Sequence, residues 1–142
     1  MSTPKPWRVK LEILQGQTLD DLKTWRAGTV PQLVGSVGCA ARFRRGGENA
    51  SLPQPVDLTG CTARMHIREN VNAPNVLMEL TTENGGIELG GALGTIRTRM
   101  SATATSALSW RSAVYDLEIV FVDGSVRRLL AGGVTVSPEV TR

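Results

Sequence analysis

The sequence predicts an all-β fold with two sheets packed face to face. Three observations carry the prediction. Apolar and polar side chains alternate over segments of eight to ten residues, and that period of two belongs to strands with one buried face. Glycine is plentiful, 15 of 142 residues, and falls mostly at the breaks between those segments. Turn signals then recur at the spacing of a sandwich. The length suits a single domain over 1–142 with its own core. Hydrophobic content of 41% and charged content of 20% are those of an ordinary globular chain.

The elements follow in order. "WRVKLEIL" (Trp7 to Leu14) places Val9, Leu11 and Ile13 on one side and Arg8, Lys10 and Glu12 on the other, and Gln15-Gly16 ends it. "TLDDLKTW" is ambiguous: Leu19, Leu22 and Trp25 are three apart, a spacing that suits a helical turn, but the piece is too short to decide. Residues 23–54 read as an irregular Gly/Arg/Pro-rich insertion or loop. Within it "CAARFRR" (Cys39 to Arg45) is a candidate strand and "RRGGENAS" a hairpin loop or tip. "CTARMHIR" is the cleanest strand, with Cys61, Ala63, Met65 and Ile67 inward and Arg64, His66 and Arg68 outward. A turn-forming loop (69–75) and a strand over 76–83 come next, then a turn at Asn84-Gly85-Gly86 and a brief strand from Ile87. "GTIRTRM" puts Ile96, Thr98 and Met100 on one face and Arg97 and Arg99 on the other.

Ser101 is a candidate N-cap for a short helical turn through Ala102, Ala104 and Ala107, with Leu108 tucked under the sheet. "AVYDLEIVFV" alternates again, Tyr115, Leu117, Ile119 and Phe121 inward, and Asp123-Gly124 is a hairpin signal. The returning strand carries Gly132-Gly133, which suggests a bulge or bend, and Pro138 ends it. This totals about seven to nine strands and one short helical connection, the plan of a single immunoglobulin-like sandwich without the Cys–Trp–Cys spacing.

Charge and composition narrow the function. The net charge is +3, and 13 of the 16 basic residues are arginine. Arginine suits planar contacts at interfaces, although a GC-rich genome gives the same bias. A modest positive excess does not by itself argue for nucleic acid. The three tryptophans (Trp7, Trp25, Trp110) are scattered rather than interleaved with bases, so nucleic acid is not the expected partner. Two cysteines are too few for a disulfide scaffold, and Cys61 reads as a buried free thiol, with a Cys39–Cys61 bridge left open. "MSTPKPWRVK" has no apolar run and no 18-residue apolar stretch follows, so neither a signal peptide nor a membrane span is expected.

Catalysis needs a constellation rather than a residue, and none is legible. The single histidine, His66, lies between two arginines on a polar strand face, and no nucleophile-elbow motif accompanies it. His66 and Cys61 have opposite parity in one strand, so no metal site is expected. The glycine pairs lack the Lys-Ser/Thr of a phosphate loop, and no cofactor is expected. Asp20-Asp21 and Asp116/Glu118 read as solvated faces. The one surface constellation is basic. Arg64, His66 and Arg68 share a strand face and Arg97 and Arg99 share another; if those strands pair, five bases converge. Arg42, Arg44 and Arg45 add a basic loop. Like charges side by side on a sheet need neutralising, either by Glu79, Asp116 or Glu118 across strands or by an acidic patch on another subunit.

The stretches "PVDLTGCTARMHIRE", "LMELTTENGGIELGGALGTIRTRMSATATSAL" and "VYDLEIVFVDGSVRRLLAGGVTVSPEVTR" resemble a phage and prophage structural family. They are similar to small tail-associated proteins of tailed phages and to the Ig-like N-terminal domain of baseplate upper proteins. The likeness runs from about Pro55 to Arg142, and "VKLEILQGQT" fits the family's first strand and turn. The resemblance implies a non-enzymatic virion building block, made in a bacterial cytoplasm, at the tail tip or baseplate, where it joins subunits or anchors tail fibres in a symmetric homo-oligomeric assembly. Long edge strands would also accept a partner strand. Two departures stand out: residues 23–54 are longer and richer in Gly and Arg than the family's second strand and loop, and the chain stops just after its last strand. Two other roles share the same physics or fold: a capsid decoration or head–tail joining protein, and a soluble carbohydrate- or ligand-binding module, which would need an aromatic cluster on one rim.

Overall fold

The computed structural model describes residues 5–28, 31–33 and 54–140. The strands are β1 (Trp7–Arg8), β2 (Leu11–Leu14), β3 (Leu19–Thr24), β4 (Gln32–Leu33), β5 (Thr62–Arg68), β6 (Met78–Thr81), β7 (Ile87–Leu89), β8 (Thr95–Met100), β9 (Ser112–Val120) and β10 (Val126–Ser137). A 3₁₀ turn, Gly91–Leu93, precedes β8, and one short helix, α1 (Ala102–Ser106), joins β8 to β9.

The strands form two sheets. Sheet A runs β1-β10-β9-β5-β6, with β2 also paired to β10, and sheet B runs β4-β3-β8-β7. β1 and β2 are two parts of one broken strand that lies parallel to β10, while the β9–β10, β5–β9 and β3–β8 ladders are antiparallel. The chain changes sheets between β2 and β3, between β4 and β5, at the turn between β6 and β7, and through α1. This is an all-β, immunoglobulin-like sandwich.

Alternation places the core. Ile13, Ile67, Leu117, Ile119, Leu129 and Val134 are fully buried between the sheets, and each such side chain contributes roughly 1.5–3 kcal/mol. The Ser101 Oγ accepts from the Ala104 N–H at 3.1 Å and so caps α1; Leu108 is buried beneath it. Gly124, with φ of +90°, closes the β9–β10 hairpin, and the Asp123 carboxylate accepts from the Ser125 N–H at 2.8 Å. The Asn84 turn is equally self-bonded: its Oδ1 accepts from Thr81 N at 2.9 Å and Gly86 N at 2.8 Å. It carries the chain from sheet A to sheet B rather than closing a hairpin within one sheet.

One open reading is settled and three expectations are corrected. Residues 19–24 are a strand, not a helical turn: full register with β8, from Leu19 opposite Met100 to Thr24 opposite Thr95, outweighs the three-residue spacing. The start of the 23–54 region is regular structure, since Trp25 is buried, Arg26 bridges Pro55 and β4 pairs with the end of β3. The bulge in β10 is at Leu129, where the register shifts between Arg128 and Leu130, not at the glycine pair. Gly132 instead lets the β1–β2 break cross closely. A Cβ there would stand 2.3 Å from the Val9 carbonyl oxygen, which accepts from the buried Tyr115 hydroxyl at 2.6 Å. Finally, Asp20 and Asp21 do not share a solvated face. Asp20 points out, whereas Asp21 faces Thr98 on the inner side of the sheet and pairs with Lys23, both largely shielded from solvent.

Candidate functional site

The two arginine-bearing strands do not pair. β5 is in sheet A and β8 in sheet B, so the five bases never share one face. On β8 the Arg97 guanidinium donates to Asp20 at 2.8 Å and lies 3.8 Å from Glu88. Arg99 stands opposite Asp20 in the ladder, exposed. Arg42, Arg44 and Arg45, like Cys39, lie outside the described residues.

The outer face of sheet A is different. Cross-strand register sets His66 between Glu79 and Asp116, and Arg64 beside Glu118. Arg64 Nε donates to Glu118 at 2.8 Å, His66 Nε2 lies 2.8 Å from Glu79 Oε2, and Arg128 Nε lies 3.4 Å from Asp116. Exposed pairs of this kind are worth about 0–1 kcal/mol each, so they fix register more than they stabilise. Arg68 is held otherwise. Its Nη1 donates to the carbonyls of Ala73 and Pro74, both at 3.0 Å, and its Nη2 lies 3.5 Å from His66 Nδ1. Two neutral carbonyls position this guanidinium, and among the described residues no carboxylate pairs with it.

Between these side chains the face dips into a trough of ≈ 390 Å³. Its floor is made by small or short residues that point outward at this level: Val114, Ala131 and Gly133. Arg8, Arg68, Arg128 and His66 stand around it, with Asp116 as the one carboxylate among its lining residues. The sequence named Arg68 and His66 for this face. It missed Arg8 and Arg128, whose alternation was legible but whose neighbours were not: β1 lies beside β10 with Arg8 opposite Ala131.

A second cluster gathers two of the three tryptophans that look scattered along the chain, Trp7 and Trp25. The Arg127 guanidinium carbon sits 5.3 Å from the Trp7 ring centroid and 5.2 Å from that of Trp25, and Trp25 is tilted against Phe121 at 6.4 Å. Each such cation–π contact is worth about 0.5–2 kcal/mol. The aromatic faces are thus spent on an arginine of the same chain, and Trp25 is buried, so this cluster is not the open platform that a sugar would stack on.

Titration marks two further places. Burial, then the nearby Asp21 carboxylate, pushes the Tyr115 hydroxyl up to about 12. At the loop end Asp57 and Asp123 are held below the usual carboxylate range, chiefly by hydrogen bonds from the Thr59 and Ser125 side chains. Cys61 carries a free thiol, raised by partial burial. Among the described residues no group of three or more His, Cys, Asp or Glu could hold a metal ion, and no helix is long and apolar enough to cross a membrane. No protein-family model matches the chain, and no curated protein matches it.

Proposed function

We propose that this chain is a non-enzymatic structural protein of a tailed-phage virion, a tail-tip or baseplate component that joins subunits or anchors tail fibres. The observation that carries the reading is the outer face of sheet A. This surface, held in register by its own ion pairs, leaves Arg8 and Arg68 without an ion-pair partner among the described residues, around a trough. The resemblance of residues 55–142 to small tail-associated proteins supports the same reading. The mechanism is presentation: the sandwich fixes charged side chains in place, so a neighbour binds without the ordering cost that mobile side chains would exact. Partners are other virion proteins in a symmetric assembly.

Particles grown with a tagged copy test the proposal. The chain should fractionate with assembled tails and crosslink to tail-tip or baseplate subunits. Fractionation with capsids would favour a decoration or head–tail joining role. Absence from particles, together with binding to glycans, would overturn the virion reading.

A further inference from the structure

The trough on sheet A has a sign and a shape that select its occupant. Arg8, Arg68 and Arg128 surround it, and Asp116 alone opposes them among its lining residues. Arg128 is partly answered by Asp116 at 3.4 Å. Arg68 is braced by two backbone carbonyls at 3.0 Å, and no ion pair is formed by Arg8 among the described residues. Val71 and Val114 give the lining an apolar part. The volume, ≈ 390 Å³, lies in the range of roughly 300–1,000 Å³ that takes compact ligands or side chains.

We propose that this trough seats an acidic segment of a neighbouring protein, with carboxylate side chains bridging Arg8, Arg68 and Arg128. The inference rests on the joining role above and adds the chemistry of the partner. Arginine matches carboxylates through two parallel hydrogen bonds, and a braced guanidinium loses little freedom on binding. The layout also discriminates against nucleic acid. Asp116, Glu79 and Glu118 interleave with the bases on this face, so a continuous phosphate backbone laid across it would meet negative charge at each step. A short peptide can place its carboxylates at the basic positions and its apolar atoms on the valines.

The test uses the full chain and a fluorescein-labelled peptide of alternating glutamate and valine, read by anisotropy at low and high salt. Arg8→Ser and Arg68→Ser should each weaken binding about tenfold, the usual scale for losing a charge-assisted contact. Asp116→Asn should strengthen it severalfold by removing the internal competitor, the opposite of what a merely structural role gives. Arg8→Ser keeps the test valid if Arg68→Ser loosens the 70–74 loop, because the exposed Arg8 side chain braces no loop. Binding should fall steeply with salt. Equal affinity in wild type and Arg8→Ser, or no binding at low salt, overturns the proposal. So does tighter binding of a DNA duplex that depends on the same arginines, or self-association that the same variants abolish, since the occupant would then be nucleic acid or a second copy. Incorporation of Arg8→Ser into particles separates the two levels. Peptide binding lost with incorporation intact sinks the joining role of this face alone. Incorporation lost while the peptide never binds sinks the acidic partner alone.

Discussion

The outer faces of β5 and β8 carry the same pattern, basic residues at every second position, yet they meet different surroundings. On β8, Arg97 is gripped by Asp20 and Glu88 from the strands on both sides. On β5, Arg64 and His66 find carboxylates while Arg68 finds two carbonyls and the His66 ring, and a few positions away small residues on β10 leave the surface hollow. Alternation decides which way a side chain points. Whether its charge remains available is decided by the strands that the topology lays alongside. A strand face is therefore a candidate contact surface only after its neighbours are known.

The largest effect should come from breaking the hollow itself. Gly132→Ala drives a Cβ to 2.3 Å from the Val9 oxygen. That is backbone, so β1 must lift from β10, at a cost of about 1–3 kcal/mol in urea melts, and the Arg8 side of the trough goes with it. Gly133→Ala, which meets nothing within 4 Å, should leave stability within about 0.5 kcal/mol while shallowing the trough and weakening peptide binding.

Tyr115→Phe comes next. It removes the 2.6 Å bond to Val9, for about 1 kcal/mol, and loosens the same strand break. It also changes the alkaline limb. The folded-state value of about 12 is raised from 10. The native state therefore keeps a proton that the unfolded chain has lost, and this contribution, fully present below pH 10, falls away as pH rises through about 12. Equilibrium unfolding from pH 9 to 12 should show that loss in wild type and less of it in Tyr115→Phe.

Smaller still are the ion pairs. Double-mutant cycles on Arg64/Glu118 and Arg97/Asp20 should each give about 0.2–1 kcal/mol of coupling, reduced by salt. Arg99→Ser should change stability by less than about 0.5 kcal/mol. A coupling at Arg64 well above that at Arg97 would mean that the β5 face is the more tightly self-neutralised of the two and would undo the comparison.

The strands of the second half were legible because one face of each is buried and the other wet, a pattern that local sequence records directly. Ala63, Met65 and Ile67 on β5 and Tyr115, Leu117 and Ile119 on β9 are buried as the alternation requires. β3 was not legible, because its inward positions include Asp21 and Lys23, which pair with each other inside the sandwich wall and erase the apolar period. The trough was half legible. His66 and Arg68 sit in one clean run, but Arg8 reaches the site through a pairing with Ala131, more than 100 positions away, and Arg128 through a hairpin whose register is shifted just after it, and no local signal records either. The meeting of Trp7, Trp25 and Arg127 was hidden for the same reason.

The extra residue at Leu129 has a consequence for how this strand tolerates changes in length. Because two consecutive positions, Leu129 and Leu130, both point into the core, the stretch before them and the stretch after them keep opposite phases of one count. Arg127 stays opposite Ile119 on the inside, and Ala131 stays opposite Asp116 on the outside. Removing Leu129 would therefore cost its own packing, about 2–5 kcal/mol on the scale of large-to-small core changes, yet leave every other side chain on its present face. Removing Leu130 would do the same, with Leu129 taking its place opposite Leu117, whereas a deletion farther along the strand that kept the extra residue would exchange the dry and wet sides of one part of it.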